Sequence, residues 1–533
     1  MRLPEGVSAA DFSSALRELT AVVGGDWVFS KPEDVALYDD AYTPFVGEPD
    51  KQYVASAAVA PTEVEQVQQI VRIANKYCIP LNAISTGRNL GYGGSSPTYS
   101  GSVIVDLKRM NKVVEVNDHE DYMIVEPGVS FMDLQKYFDE HNHPFLVATP
   151  DPGWGSPIGN ACDHGISSVA GDNFGMVKGV EAVLPNGELL RTGSGAVPTS
   201  KMWANYRYGF GPYLDGIFSQ SSFGIVTKMV FWLVRIPEIQ QGFTVTSYEH
   251  AAMEPLLATI QRMRYDNLIH VSGFGSPIRE SMSVNDGRQP YGVPGVQVLH
   301  RRRDGGTQQQ WEALAAAARI PVVRVTGGAR GPRTLVRATI DYAREQFGRI
   351  ASAAFQEGRI IDFAKENPFR PAIQFGGFGV EMRTMKHTSH GHYYFSPMFK
   401  PEVDDIFALN DTIRNVMLDS GDLEMLDNYG WSAGWSFAYP KAGMILMELL
   451  VADDVTVNRR RRDLYRRLTD ACGAKGWAEY RAPVAFQDHV MDQYSFNDHI
   501  LRRFNEMIKD GIDPNGILSP GRSGIWPRRL RKA

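Results

Sequence analysis

The sequence predicts an α+β protein in which a second domain is inserted between two parts of a first domain. Its 533 residues are too many for one ordinary hydrophobic core. Short strands and helices alternate over the first 235 or so residues, and longer helical patterns follow from about residue 240 to 480. Sequence signals of loops and helix caps then return in the C-terminal part of the chain. We therefore predict domain segments at residues 1–237, 238–479 and 480–533.

The first strong helix signal follows an apolar run, residues 53–60, that ends at Pro61. Residues 62–65 have the spacing of a capping box, in which two side chains satisfy backbone N–H groups at the start of a helix. Apolar side chains then recur at helical period, which predicts a helix after a strand. These positions are Val64, Val67, Ile70, Val71 and Ala74.

Further short elements complete the first part of the chain. Ser130 and Asp133 carry the signals that open a helix, which we predict over residues 131–141. Strands are predicted at residues 79–84, 101–107 and 122–125. The short connections between these elements indicate mixed strands and helices packed in layers.

The middle of the chain has a different pattern of predicted secondary structure. Helical patterns cover residues 253–265, 332–357 and 451–473, and a strand-like run covers residues 444–451. This combination predicts a sheet covered by helices, which would form the inserted domain.

Charge and composition exclude several classes of protein. The formal net charge is −6, so the basic excess typical of duplex-binding proteins is missing. No run reaches the ~18 apolar residues that a membrane span needs, and the N-terminus lacks the apolar core of a secretory signal. Three scattered cysteines predict neither a disulfide framework nor a metal site. We expect a cytoplasmic protein with no nucleic-acid or membrane partner.

Two glycine-rich loops are candidates for a ligand site. Residues 85–94 directly follow a predicted strand, and residues 150–160 form a second loop of glycines and small side chains. Glycines let the backbone approach a phosphate without a Cβ clash and with positive φ. The first loop matches neither G-x-G-x-x-G nor a P-loop, so an ordinary hairpin loop explains it equally well. Two such loops in one domain favour an extended dinucleotide.

The two loops occur in order with three further motifs: VEPGV at residues 125–129, GIVTK at 224–228 and PNGILSPGRSG at 514–524. This ordered set resembles the vanillyl-alcohol oxidase / p-cresol methylhydroxylase family of FAD enzymes, and within it the bacterial eugenol oxidase type. The likeness covers residues 1–235 and 385–533 well and residues 240–380 poorly. It implies a bipartite PCMH-type FAD-binding domain and an inserted α+β cap domain that forms the substrate pocket.

The resemblance implies a set of FAD-binding residues. The first loop would bind the pyrophosphate, the second loop and the 224–228 motif would line the adenosine and ribityl side, and Arg522 would lie near the polar edge of the flavin. The residues so assigned are Ser85, Thr86, Gly87, Arg88, Asn89, Gly91, Ile158, Gly159, Asn160, Val226 and Arg522.

A histidine is implied as the point of covalent attachment to FAD. The segment HGHYYFSP, residues 390–397, is similar to the eugenol oxidase segment whose histidine bonds to the flavin methyl group, and the matching residue is His392. Neutral imidazole is a suitable nucleophile near pH 7. His387 and His390 are close in sequence, and an isolated histidine is usually structural. The tyrosine of the methylhydroxylase branch corresponds to Thr384, which cannot replace it.

Three residues match the phenol-binding set of the family: Tyr92, Tyr480 and Arg481. A phenol has a reference pKa near 10, so holding it as phenolate at pH 7 requires roughly 4 kcal/mol. One guanidinium and two hydroxyl donors in a dry pocket are a reasonable source of that energy. From the residues alone, two core tyrosines and a surface arginine remain the alternative. Asp151 matches an acidic residue near flavin N5 and would act as a base.

The function implied is oxidation of para-substituted, lignin-related phenols, in which hydride passes from Cα to flavin N5 and a quinone methide forms. The acceptor would be O2, giving hydrogen peroxide, with a cytochrome c as the alternative. A 2-hydroxy-acid or sugar oxidoreductase and a flavin-storing protein are the rival classes. We expect a homodimer or larger oligomer. Residues 165–174 and 436–443 depart from the pattern of close relatives, which bears on the size of the pocket.

Overall fold

A computed structural model gives the fold of the chain. It describes residues 2–150, 153–167, 169–281, 293, 295–367, 390–429 and 439–531. Strands and helices are numbered below in chain order.

The first part of the chain contains short strands and helices. The helices are α1 (Ala9–Val23), α2 (Pro32–Val35), α3 (Val64–Tyr77), α4 (Phe131–His141) and α5 (Pro157–Cys162). The strands are β1 (Val28–Phe29), β2 (Ala57–Val59), β3 (Leu81–Ile84), β4 (Val103–Asp106), β5 (Val113–Asn117), β6 (Tyr122–Val125), β7 (Phe145–Leu146), β8 (Ile166–Ser167), β9 (Gly171–Asp172), β10 (Val177–Val183), β11 (Leu189–Arg191), β12 (Ile225–Trp232) and β13 (Val234–Arg235).

The first sheet pairs in the order β1-β2-β4-β3, with β2 and β3 both parallel to β4. All five predicted apolar positions of α3 are buried, which confirms its core face. The predicted capping box is wrong, because Gln66 Oε1 accepts the Thr62 N–H at 2.8 Å and no side chain caps the helix. The predicted helix 131–141 is confirmed as α4, and Ser130 and Asp133 form a capping box there.

The second sheet pairs in the order β11-β10-β12-β6-β5. Its inner face packs on α4 and α5 through an apolar cluster that includes Val125, Phe138, Ile158, Val180 and Met229. Burial of this cluster fixes α5 at the sheet, and α5 contains the end of the second glycine-rich loop.

The rest of the chain contains the longer helices. These are α6 (Met253–Tyr265), α7 (Pro277–Glu280), α8 (Val296–His300), α9 (Gln308–Ala318), α10 (Arg333–Phe347), α11 (Val403–Ser420), α12 (Leu423–Tyr429), α13 (Val455–Gly473), α14 (Gln487–Asp492) and α15 (Phe496–Ile512). The strands are β14 (Ile239–Ser247), β15 (Val271–Gly275), β16 (Val323–Gly331), β17 (Ala354–Asp362), β18 (His392–Phe395), β19 (Met398–Phe399), β20 (Gly443–Met444) and β21 (Met447–Leu450).

A third sheet pairs in the order β15-β16-β14-β17. The predicted helix over residues 332–357 is wrong in its second half: α10 ends at Phe347, and Ala354–Asp362 is the strand β17. The reason is tertiary, because β14 pairs with this segment, with Val245 opposite Phe355. Helix α10 packs on the sheet through Ile340 and Phe347.

The C-terminal segment returns to the first sheet. Leu81 N–H donates to the Ile517 carbonyl at 2.6 Å, and Ser519 N–H donates to the Leu81 carbonyl at 2.8 Å. These bonds fit a first domain built from two parts of the chain, although the boundaries at residues 237 and 479 stay a prediction. In the described part of the chain, no helix combines the length and apolar character that crossing a bilayer requires.

Candidate active site

A cavity of about 720 Å³ is lined by both glycine-rich loops, the region of β18 and β21, and the segment after residue 480. Most of the predicted site residues line it. They are Ser85, Thr86, Gly87, Arg88, Asn89, Tyr92, Ile158, Gly159, Asn160, Val226, Tyr480, Arg481 and Arg522. Gly91 and His392 are not among its lining residues. Asp151 lies outside the described residues.

The first loop reaches the cavity through a turn that requires glycine at position 87. Gly87 has φ +68°, and a Cβ there would lie 2.1 Å from Ser95 Oγ. A Cβ on Gly159 would lie 2.3 Å from Ser85 Oγ, so the two loops also approach each other through a glycine. The backbones of both loops therefore lie close to the cavity, as the phosphates of an extended cofactor require.

Gly91 makes room for an aromatic ring and does not face the cavity. A Cβ on Gly91 would lie 2.7 Å from the ring of Tyr394. Tyr394 stacks on Tyr92 with 5.1 Å between ring centroids, and both rings line the cavity. Gly91 thus packs beside the aromatic pair Tyr92 and Tyr394, and its contact with the pyrophosphate stays a prediction.

Tyr92, Tyr480 and Arg481 lie together in the wall of the cavity. The guanidinium carbon of Arg481 is 4.0 Å from the ring centroid of Tyr92 and 5.7 Å from that of Tyr480. Tyr92 Oη is 3.0 Å from Ser396 Oγ, and Tyr480 Oη donates to the His164 carbonyl. Burial raises the pKa of both tyrosines, and the charge of Arg481 opposes that rise. Both hydroxyls therefore remain protonated donors at neutral pH.

Asp163 holds this wall together. Its Oδ2 accepts from Arg481 Nη2 and from Asn89 Nδ2, both at 2.8 Å, and its Oδ1 accepts from Arg522. Burial acts to raise the pKa of Asp163, but the guanidiniums of Arg522 and Arg481 lower it to about 2. Asp163 is thus an anion that fixes two cations at the cavity wall.

Sequence reasoning missed Asp163 because its partners are 318 and 359 positions away along the chain. The available signal was its position three residues after Asn160, just beyond a loop already assigned to the cofactor. Nothing in the spacing of the chain indicated which arginines it would meet.

His392 lies next to the cavity. Its side chain is fully buried between the rings of Tyr42 and Tyr394, with centroid distances of 5.2 and 4.5 Å. Burial lowers its pKa to about 3, so the imidazole is neutral. Neither ring nitrogen has a hydrogen-bond partner among the described residues. His392 is therefore a neutral imidazole one ring away from the cavity.

The other histidine candidates fall elsewhere. His390 Nε2 is 2.7 Å from Asp453 Oδ1 in an exposed pair. His387 and Thr384 lie outside the described residues, as do residues 436–438 of the second divergent segment.

Sequence reasoning also missed the residues on the cap side of the cavity. Tyr394, Leu446 and Glu448 line it, and Tyr394 is directly opposite Glu448 in the β18–β21 pair. Strand alternation could have indicated Tyr394, because His392 and Tyr394 share one face of β18.

Comparisons with known proteins agree with this architecture. A family profile described as "FAD binding domain" matches residues 55–193. The 4-cresol dehydrogenase [hydroxylating] flavoprotein subunit of Pseudomonas putida is 30% identical over 540 residues, which is 98% of this chain and 97% of that protein.

Two solved structures are similar over almost the whole chain. One is 4-ethylphenol oxidase from Gulosibacter chungangensis in its isoeugenol complex, with 30% identity and a TM-score of 0.80, covering 99% of this chain and 100% of that chain. The other is p-cresol methylhydroxylase with substrate bound, with 28% identity and a TM-score of 0.78, covering 98% and 99%. These matches confirm the predicted α+β, PCMH-type fold.

The geometry of the cavity fits FAD. Two glycine-shaped loops supply backbone at close range, and the cavity volume of about 720 Å³ lies within the range of cofactor pockets, ~300–1,000 Å³. The matched profile spans both loops. The chain is thus an FAD-dependent oxidoreductase that belongs to the vanillyl-alcohol oxidase / p-cresol methylhydroxylase flavoprotein family.

Proposed function

We propose that the chain oxidises para-substituted phenols by removing a hydride from the carbon attached para to the hydroxyl. The observation that carries this proposal is the grouping of Arg481 with Tyr92 and Tyr480 in the wall of the FAD cavity. These three residues are called the clamp below.

The charge of the clamp suits a phenolate. Arg481 and Arg522 share the single anion Asp163, so the three groups together carry one positive charge. A buried cation and protonated hydroxyls favour the ionised form of a phenol. The electron density of a phenolate in turn lowers the barrier to hydride loss at its para carbon.

The hydroxyls of the clamp would each exchange one partner on binding. Ser396 Oγ is able to donate to Tyr92 Oη, which leaves the Tyr92 proton for the phenolate. Tyr480 would give up its bond to the His164 carbonyl. Arg481 keeps its position because its guanidinium donates a hydrogen bond to the Asp163 carboxylate.

When bound, FAD supplies the hydride acceptor of the reaction. The chain orients the substrate through the clamp and limits access of water through apolar lining residues such as Ile158, Val226 and Leu446. We assign Asp151 the role of base toward water or toward the substrate's side-chain hydroxyl, following the family match. A 4-hydroxybenzylic alcohol would give the aldehyde, and a 4-alkylphenol would give an alcohol or an alkene.

The names of the relatives support a phenolic substrate, since they specify 4-cresol and 4-ethylphenol. We propose O2 as the electron acceptor, with hydrogen peroxide as the product, in line with the eugenol oxidase type. The alternative is a cytochrome c, which is compatible with the word "subunit" in the name of the Pseudomonas putida relative. Steady peroxide formation in air-saturated buffer supports the first, and turnover only with a cytochrome or dye supports the second.

Anaerobic bleaching of the flavin tests the proposed substrate class. We expect 4-alkylphenols and vanillyl alcohol to bleach the bound flavin, and lactate and alditols to leave it oxidised. Bleaching by lactate alone would favour a 2-hydroxy-acid oxidoreductase. A flavin that no compound of the panel reduces would favour a flavin-storing protein.

We propose His392 as the point of covalent FAD attachment. This role is supported by its neutral imidazole and by two ring nitrogens that have no hydrogen-bond partner among the described residues. We expect Ala at position 392 to leave FAD extractable by acid precipitation, whereas wild-type protein keeps its yellow colour. Colour that still precipitates with the His392→Ala variant would contradict this attachment point.

We also propose a homodimer or larger oligomer and a cytoplasmic location, both from the family resemblance and the composition. Light scattering on the purified holoenzyme measures the oligomeric state directly.

A further inference from the structure

A buried ion pair lies behind the wall of the FAD cavity. Lys509 Nζ is 2.8 Å from Asp513 Oδ2, and both side chains are 0% exposed. Lys509 lies in the last turn of α15, and Asp513 directly follows that helix. Burying two charges is costly unless their remaining polar atoms also find partners. The partners of this pair therefore indicate what its burial achieves.

The ammonium group of Lys509 joins two distant segments of the chain. Its Nζ donates to the Ser222 carbonyl at 2.9 Å and to the Leu518 carbonyl at 2.6 Å. Ser222 is 287 positions from Lys509 along the chain, whereas Leu518 is 9 positions away. Asp513 is the third acceptor, so each of the three ammonium protons has a partner.

Asp513 fixes the other side of the same junction. Its two oxygens accept the N–H groups of Ile517 and Leu518, both at 2.9 Å. The Ile517 carbonyl in turn accepts the N–H of Leu81, in strand β3, at 2.6 Å. The backbone at residues 517–518 is thereby tied to the first sheet on one side and to the ion pair on the other.

The junction is one residue away from the FAD cavity on both segments. Ser221 precedes Ser222, Ser519 follows Leu518, and both Ser221 and Ser519 line the cavity. Arg522, three positions beyond Ser519, lines it as well. The spacing between these two wall segments therefore depends on the ammonium group that holds a carbonyl of each.

We propose that Lys509 and Asp513 are positioning residues for FAD, which set the distance between the wall segments that contain Ser221 and Ser519. Neither charged residue is among the described residues that line the cavity, so both act through the backbone. FAD needs backbone at close range, and a small displacement of one wall segment weakens several contacts together. The inference goes beyond the proposed function, because it concerns retention of the cofactor and is independent of the substrate.

A second, neutral link joins the same two segments. Ser523 Oγ donates to the Gln220 carbonyl at 2.6 Å. This bond should keep the segments in contact when the ammonium group is removed. We therefore expect loss of Lys509 to change the spacing of the wall without detaching the C-terminal segment.

Two variants separate the position of the wall from overall stability. Lys509→Met leaves Asp513 as an unpaired buried anion, so the urea midpoint of unfolding should fall. Adding Asp513→Asn removes that anion, so the double variant should recover part of the lost stability. Neither variant has the donor that Ser222 and Leu518 share, so we expect both to bind FAD about tenfold more weakly than wild type.

The FAD-to-protein ratio after gel filtration in FAD-free buffer measures the loss of cofactor. It applies whether or not the flavin is covalently attached, because attachment requires binding first. Hydrogen exchange in excess FAD supplies a second readout. Residues 219–225 and 513–520 should exchange faster in both variants, whereas α4 should stay as protected as in wild type.

Arg414→Met is the matched control. Arg414 is a buried cation of α11 that donates to Asp411 Oδ1 at 2.6 Å and to the Arg303 carbonyl at 2.9 Å. These three residues are not among the described residues that line the FAD cavity. We expect a lower urea midpoint with an unchanged FAD-to-protein ratio.

The outcomes separate positioning from stability. A double variant that keeps the FAD content of wild type would overturn the proposal. Equal FAD loss in Arg414→Met would also overturn it, because cofactor retention would then follow global stability. If the Lys509 variants do not fold, wild-type holoenzyme decides: residues 219–225 and 513–520 should show one shared opening free energy in hydrogen exchange, and clearly different values would contradict the link.

Discussion

The two sides of the FAD cavity are built by different means. On the loop side, glycines such as Gly87 and Gly159 bring backbone close to the cavity, and the determinants are local in sequence. On the clamp side, Asp163 joins Arg481 and Arg522 across 318 and 359 positions of the chain. Substitutions on the loop side should therefore act through backbone strain, whereas substitutions on the clamp side should act through the loss of a charge.

Removing the charge of Asp163 should have the largest effect on the clamp side. Asp163→Asn leaves two partly buried guanidiniums without their anion, so we expect the free energy of unfolding to fall by ~3–5 kcal/mol. Arg481 would also lose its support on the face of Tyr92, and phenol affinity would fall at least tenfold, or ~1.4 kcal/mol. Urea unfolding and anaerobic phenol titration measure the two losses.

Asp266→Asn is the matched control for that substitution. Asp266 pairs with Arg262 at the end of α6, where the arginine side chain is 73% exposed, so the loss should stay below ~1 kcal/mol. Similar losses in the two variants would mean that the clamp charges contribute no more than a surface pair.

A smaller effect is expected on the loop side from Gly87→Ala. The left-handed conformation costs a non-glycine residue ~1–2 kcal/mol, and Ser95 must move to admit the new Cβ. We expect weaker FAD retention, measured as flavin released on dilution or mild denaturation.

Gly6→Ala is the control for Gly87→Ala, because it introduces backbone strain at a position outside the FAD cavity. Gly6 has φ +78°, but a Cβ there would meet no atom within 4 Å. It should show a comparable strain with unchanged FAD retention. If both variants lose FAD equally, the loop contributes no specific contact.

The smallest effect on stability should come from Tyr92→Phe. The substitution removes the hydroxyl that contacts Ser396 but leaves the ring between Tyr394 and Arg481. One hydrogen bond to a charged phenolate corresponds to ~1.5–3 kcal/mol, so phenol affinity should fall by more than tenfold while unfolding changes little. A change in unfolding free energy as large as that of Asp163→Asn would show that Tyr92 acts in the core.

Much of the fold followed from local patterns. The helices at residues 131–141 and 253–265 have the predicted bounds, and the apolar face of α3 is buried as predicted. The second half of the helix predicted over residues 332–357 failed because pairing with β14 overrides helical periodicity. Local propensity is a weak guide wherever a neighbouring strand takes the backbone groups.

Like the fold, the candidate site was predicted in part from the sequence. Both glycine-rich loops line the cavity, and the roles of their residues stay predictions. Gly91 packs against Tyr394 and His392 lies one ring from the cavity, which a motif match cannot distinguish from direct contact. A motif match gives the position of a residue along the chain, whereas the direction in which its side chain points depends on tertiary packing.

By itself, the sequence determined the α+β class and the glycine-rich loops, because backbone conformation and periodicity are local properties. The adjacent pair Tyr480 and Arg481 was implied by the family resemblance, since the residues alone left a core tyrosine and a surface arginine as the alternative. Only the tertiary structure decided that Asp163 joins two arginines, and that the Ser396 hydroxyl meets Tyr92 while the Ser396 backbone N–H donates to Glu479. Electrostatic energy depends on distance in space and on burial, and neither follows from separation along the chain.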